Sequence, residues 1–164
     1  MIDTFQLNLP GINTQLSSGF EKYRDDTSIK RSHLFNGRYE NIYLTEQQVP
    51  ALATLLAVAN EHARNIMQQK NIRSGCWFND MPPGATTTKH SHDDDDELLS
   101  AVYYVSVPAE SGDLILYDKD TETRIIPSAG QMIFFPPDID HEVTTNNSSE
   151  HRLSIGINFG PAED

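Results

Sequence analysis

Lys89-His90-Ser91-His92-Asp93-Asp94-Asp95-Asp96-Glu97 is the stretch on which the chain's chemistry depends. His90, His92 and Asp94 are spaced by two. On an extended strand that spacing sets all three side chains on one face. Two imidazoles that converge by strand alternation make a metal site, and the carboxylate of Asp94 is a candidate third donor. A solvated turn accounts for Asp95 and Asp96. The run lacks the alternating aspartates, glycine and closing glutamate of an EF-hand, so calcium is disfavoured.

The chain around this stretch is β-rich. Short apolar runs are cut by turn signals: Ala101–Val107 before Pro108, Leu114–Tyr117 after Ser111-Gly112, Arg124–Ile126 before Pro127, Met132–Phe135 before Pro136-Pro137, and Leu153–Phe159. Many short strands at even spacing predict a sandwich or barrel. His141 follows the Pro136-Pro137 turn at the start of a strand. Arg152 and Ser154 share a face of the last strand, and Leu153, Ile155 and Ile157 take the opposite one. An inward arginine needs an anion, and its planar fork suits a carboxylate held by two hydrogen bonds. Either a buried acid of the chain or the far carboxylate of a dicarboxylate cosubstrate would meet that need.

Upstream, Leu52, Leu55, Leu56, Ala59, Ala63, Ile66 and Met67 form an apolar stripe at helical spacing, which predicts one long helix within residues 45–70 packed against a sheet. Thr45 with Gln48 resembles a capping box, while Pro50 favours a start nearer Val49. Phe5, Leu7 and Leu9 predict a short strand, and residues 14–23 a short helix. Residues 24–38 show no clear period, and Phe35-Asn36-Gly37 reads as a turn. Residues 1–44 are expected to cover one mouth of the barrel, where the choice of substrate is decided, and offer no residue that the sequence assigns to chemistry. His33, His62 and His151 read as surface or core histidines.

At 164 residues the chain is expected to be one domain, with residues 1–74 supporting a core of residues 75–160. The net charge of −12 argues against nucleic acid as a partner. The single cysteine, Cys76, excludes an internal disulfide and reads as a small buried hydrophobe. No run reaches membrane-spanning length and no leader pattern opens the chain, so a soluble cytoplasmic protein is expected.

The stretch from Trp77 to Phe159 resembles the 2-oxoglutarate/Fe(II)-dependent oxygenases, and among them the prolyl-hydroxylase-like oxygenases of bacteria and phages. The resemblance rests on Trp77-Phe78-Asn79, Gly84, His90-Ser91-His92, Leu99 to Val105, Ser111-Gly112, Pro127 with Gly130, Ile133-Phe134-Phe135-Pro136, His141-Glu142-Val143 and Arg152 to Phe159. It implies a mainly β fold, a double-stranded β-helix or jelly roll, with one long supporting α-helix and short N-terminal elements. It implies Fe(II) and 2-oxoglutarate, with ascorbate a candidate addition, and hydroxylation of a C–H bond with release of succinate and carbon dioxide. It implies His141 as the distal metal ligand. Arg152 would pair with the remote carboxylate of 2-oxoglutarate, helped by Tyr104 and Ser154, with Asn79 a further candidate in the pocket.

The family pattern at the first two ligands is His-x-Asp, and this sequence departs from it. Spacing from Trp77 favours His90 and His92; spacing back from Tyr103-Tyr104 favours His92 and Asp94. Charge favours a carboxylate, so His92, Asp94 and His141 are the expected catalytic ligands, with His90 as an alternative ligand or supporting partner. A cupin would instead use His90, His92, Glu97 and His141 and would need no Arg152; its motif breaks at Tyr104 and at Asp138. The expected partners are the small-molecule cosubstrate, dioxygen, and a peptidyl substrate, prolyl by family analogy, or a small molecule. Oligomeric state is not legible.

Overall fold

The computed structural model describes residues 1–92 and 96–162. Asp94 therefore lies outside the described residues. Among the described residues, eleven strands and two helices follow in the order β1 (Asp3–Gln6), α1 (Ile12–Glu21), β2 (Arg31–Phe35), β3 (Arg38–Ile42), α2 (Ala51–Met67), β4 (Ile72–Met81), β5 (Thr87–His90), β6 (Leu99–Ser106), β7 (Leu114–Asp118), β8 (Thr121–Ile125), β9 (Gln131–Phe135), β10 (Asp140–Val143) and β11 (Arg152–Pro161). They form a seven-stranded sheet, ordered β1-β9-β6-β11-β4-β3-β2, and a four-stranded sheet, ordered β5-β10-β7-β8. This is the mainly β jelly roll with a long supporting helix that the sequence predicts.

Alternation along the large sheet explains its two-sided burial. Leu153, Ile155 and Ile157 of β11, Tyr103 of β6 and Phe134 of β9 join a core with Leu16 and Phe20 of α1 and Leu52, Leu55 and Ala59 of α2. Their neighbours in sequence, Tyr104, Ile133 and Phe135, turn to the other side and meet Leu114, Leu116 and Val143 of the small sheet. The large sheet thus has helices on one face and the second sheet on the other. Strands covered on both faces carry little polar surface, as β6 and β11 show.

Helix α2 begins at Ala51, with Pro50 in helical conformation just before it. Thr45 and Gln48 do form the reciprocal bonds of a capping box, Thr45 N to Gln48 Oε1 at 2.8 Å and Gln48 N to Thr45 Oγ1 at 3.2 Å. That box closes a separate turn ahead of the helix, which removes the conflict with Pro50.

The clearest departure from expectation is at residues 31–42. This polar segment forms a β-hairpin that extends the large sheet at the β4 edge. Asn36 and Gly37, at φ 50 and 77, make the two-residue turn. Both positions sit in the left-handed region that Asn-Gly tolerates best, and that turn twists to match its strands.

Candidate active site

Three imidazoles meet between the two sheets. His90 ends β5 and sits opposite His141 of β10 in the strand register. His92 lies two residues further on, and its backbone N–H donates to Pro137 O at 2.6 Å. That bond ties it to the Pro136-Pro137 turn that leads to His141. One ligand atom from each of His90, His92 and His141 lies within 4.8 Å of the other two.

The hydrogen bonds fix which nitrogen of each ring is free. His90 Nδ1 lies 2.6 Å from Thr88 O, and His141 Nδ1 lies 3.2 Å from Ile139 O. A carbonyl only accepts, so both Nδ1 atoms carry the proton. His92 Nδ1 lies 3.1 Å from Ser100 Oγ, whose own proton goes to Asn158 Oδ1 at 3.0 Å. Ser100 therefore accepts from His92. In its neutral form each of the three rings then presents a bare Nε2. Two of them, on His90 and His92, are only 3.1 Å apart. Facing lone pairs at that distance repel unless a cation lies between them, so the donor set fits a metal ion. Burial, then the charge of neighbouring imidazoles, holds the His92 pKa down at about 4 and that of His141 at about 3. Both rings are neutral near pH 7, the form a metal requires.

A cavity runs inward from this cluster to Arg152, bounded also by Asn79, Tyr104 and Ser154. Asn79, Ser154 and Tyr104 lie in one row across β4, β11 and β6. Arg152 is 1% exposed, and among the described residues no carboxylate lies within ion-pair distance of it. Its Nη1 donates to Gly112 O at 3.0 Å and to Ser111 O at 3.4 Å. Its Nε, the Tyr104 hydroxyl and the Ser111 hydroxyl are buried without partners. The Arg152 guanidinium carbon lies 5.2 Å from the centre of the Tyr104 ring. Burial raises the Tyr104 pKa to about 12, opposed by Arg152, so the phenol keeps a proton to donate. Buried donors without acceptors beside an unpaired cation are the signature of a missing anion. The structure thus favours an external acid over an internal salt bridge for Arg152.

Gly112 makes this arrangement possible. At φ 108 it is left-handed, and a Cβ there would collide with Thr144 O and crowd Arg152 Nη1 at 3.0 Å.

The remaining residues sort differently. Glu97, a ligand in the cupin reading, is drawn off to Arg73 at 3.3 Å and is not in the imidazole cluster. His62 packs against Phe5, with ring centres 4.0 Å apart, and His151 pairs with Asp80 at 2.9 Å, as the bland reading of both expects. His33 instead lines an outer groove with Glu40, Asn41, Tyr43 and Asn158, which opens on His90 and His92. Sequence reasoning missed Ser100, Ser111 and that groove. The groove's one legible signal was Asn36-Gly37, the mark of a hairpin.

Residues 76–160 match the family described as the 2OG-Fe(II) oxygenase superfamily, and the chain belongs to it. It is an oxidoreductase of the dioxygenase kind, with Fe(II) and 2-oxoglutarate as cofactor and cosubstrate. Solved structures share the fold along nearly the whole chain. A prolyl-4-hydroxylase of Pseudomonas putida is 23% identical with a TM-score of 0.80, covering 99% of this chain and 93% of its own. A prolyl hydroxylase from Trichoplax adhaerens, in complex with a hypoxia inducible factor oxygen degradation domain peptide fragment, is 15% identical with a TM-score of 0.73, covering 98% and 83%. The non-haem α-ketoglutarate-dependent carbocyclase SnoK from nogalamycin biosynthesis is 14% identical with a TM-score of 0.79, covering 99% and 80%. No curated protein matches the chain. Among the described residues no helix is long and apolar enough to cross a membrane.

Proposed function

We propose that the chain hydroxylates a C–H bond of a peptidyl substrate, with a prolyl residue as the first candidate. The observation that carries this reading is the continuous path from outer groove to imidazole cluster to unpaired Arg152. It offers a place for substrate, metal and dicarboxylate in that order. Bound there, Fe(II) would let dioxygen oxidise both partners, one oxygen atom going into the succinate formed with carbon dioxide from 2-oxoglutarate and the other into the substrate's C–H bond.

The chain's own residues bind and orient. His90, His92 and His141 hold the metal through Nε2, each ring braced at Nδ1. Arg152 receives the remote carboxylate. The Tyr104 and Ser154 hydroxyls and the Asn79 amide complete its donors, so the groups that are orphaned in the structure become satisfied. Trp77 and Phe135 wall the cavity and keep water from the reacting face. The groove lined by His33, Asn41 and Tyr43 receives the substrate and presents its C–H bond to the metal's open side. The prolyl hydroxylases among the structural neighbours support the choice of proline.

The test is succinate release with Fe(II), 2-oxoglutarate and a library of proline-containing peptides beside free amino acids. Peptide-dependent release with a mass gain of one oxygen on proline supports the reading. Release driven only by small molecules, or product without added oxygen, removes it.

A further inference from the structure

Arg38 opens β3, outside residues 76–160 and in the segment where the sequence offers no catalytic residue. It reaches into the wall of the cosubstrate cavity. Its Nη1 donates to Asn79 Oδ1 at 2.8 Å and to Asp80 O at 3.0 Å, and its Nη2 donates to Thr86 O at 2.6 Å. Asn79 in turn donates from Nδ2 to Thr87 Oγ1 at 2.9 Å. Asn79 is 9% exposed, and both it and Thr87 line the cavity that holds Arg152.

A side-chain amide can present either its oxygen or its NH2 group to a cavity, and the two ends have opposite consequences for an anion. Guanidinium has donors only. The Asn79 oxygen must therefore face Arg38, and its nitrogen must lie on the other side. One of that nitrogen's two N–H groups serves Thr87. The second makes no hydrogen bond among the described residues, and Asn79 lines the cavity in the row shared with Ser154 and Tyr104.

We propose that Arg38 is a positioning residue for the cosubstrate: it locks the Asn79 amide so that an N–H, and not a carbonyl oxygen, faces the carboxylated ligand. The inference rests on the cosubstrate reading of the Arg152 cavity. It also gives the β2–β3 hairpin a second task. The strand that supplies Glu40 and Asn41 to the outer groove also fixes a donor in the inner cavity, so one element serves both sides of the metal site.

The experiment measures 2-oxoglutarate affinity of the Fe(II)-loaded full chain without oxygen, with metal content and thermal melting recorded for each variant. Arg38→Met, which keeps the apolar stem, is expected to weaken 2-oxoglutarate binding by roughly tenfold with metal content unchanged. Arg38→Lys keeps a donor for Asn79 Oδ1 and is expected to restore most of the loss. In an Asn79→Ala background, Arg38→Met is expected to add almost nothing. Asn79→Asp keeps the shape and strengthens the bond to Arg38, yet turns an oxygen toward the cavity. It is expected to bind 2-oxoglutarate more weakly than Asn79→Ala, while melting no lower than wild type. Wild-type affinity in Arg38→Met, an equal loss in both Asn79 backgrounds, or normal binding by Asn79→Asp each overturns the proposal. Because Asn79→Asp leaves Arg38 in place, it decides the matter even if Arg38→Met does not fold. A wild-type protein that fails to bind 2-oxoglutarate overturns the cavity assignment and the role of Arg38 together.

Discussion

Tyr104 carries a cost that only a ligand relieves. Its hydroxyl is buried without a partner beside Arg152. An unsatisfied buried hydroxyl costs about 1–3 kcal/mol. Tyr104→Phe is therefore expected to raise the stability of the ligand-free protein by about 1 kcal/mol while weakening 2-oxoglutarate binding. Chemical denaturation with and without the keto acid reads both effects. Destabilisation of the ligand-free protein by this change would show that the hydroxyl already has a structural partner. The metal ligands give a second prediction. His90→Ala is expected to lose tight iron binding and Asp94→Ala to retain it, as elemental analysis of the purified variants would show. The reverse result would return the carboxylate to the ligand set. At this scale the sequence was most informative where geometry is local. The His-x-His spacing brought His90 and His92 together, although β5 ends at His90 and His92 is held just past it by Pro137, and the isolated inward arginine asked for an anion. It was least informative where partners come from far along the chain. Ser100 bracing His92, and Arg38 reaching Asn79, depend on strand neighbours that no spacing reveals.

Helix α2 shows what the elements contribute. Leu55 is fully buried between the helix and the large sheet, on the side away from the cavity. Leu55→Ala is expected to cost about 2–5 kcal/mol of stability and to leave the 2-oxoglutarate affinity of the folded protein unchanged. Urea melts beside a binding titration would separate the two. A loss of affinity at full foldedness would show that α2 supports the cavity directly. The helix was legible because its apolar stripe runs over some sixteen residues from Leu52 to Met67. The β2–β3 hairpin was not, because edge strands with polar exposed faces lack the alternation that marks half-buried strands. Leu34, Phe35 and Tyr39 of that hairpin remain exposed, which is why they form no core pattern.

Taken whole, the protein is a pair of packed sheets held from one side by helices, with a cavity kept between the sheets. Its inner face is assembled for charges that the chain itself does not carry: three bare imidazole nitrogens, one unpaired guanidinium and orphaned hydroxyls. Ligands that bind only the folded state should stabilise it by mass action. At a concentration of 100 times its dissociation constant, 2-oxoglutarate is expected to add about 2.7 kcal/mol in the presence of iron. A chelator that strips the metal is expected to abolish that increment in a thermal melt. A full increment without metal would mean that Arg152 binds the keto acid unaided. The fold class was readable from the even spacing of strands and turns, while the order of strands in the two sheets was not, because long-range pairing leaves no mark on local sequence.

The central claim is that one cavity joins the imidazole cluster to Arg152 and holds 2-oxoglutarate across it. Anaerobic titration of 2-oxoglutarate into the Fe(II)-loaded protein, followed through the weak visible metal-to-ligand charge-transfer band, tests it directly. The account predicts a saturable band in the wild type that is absent in Arg152→Ala at the same concentrations, with iron content preserved. A folded, iron-loaded wild type without the band, or an Arg152→Ala variant that saturates like the wild type, would contradict it.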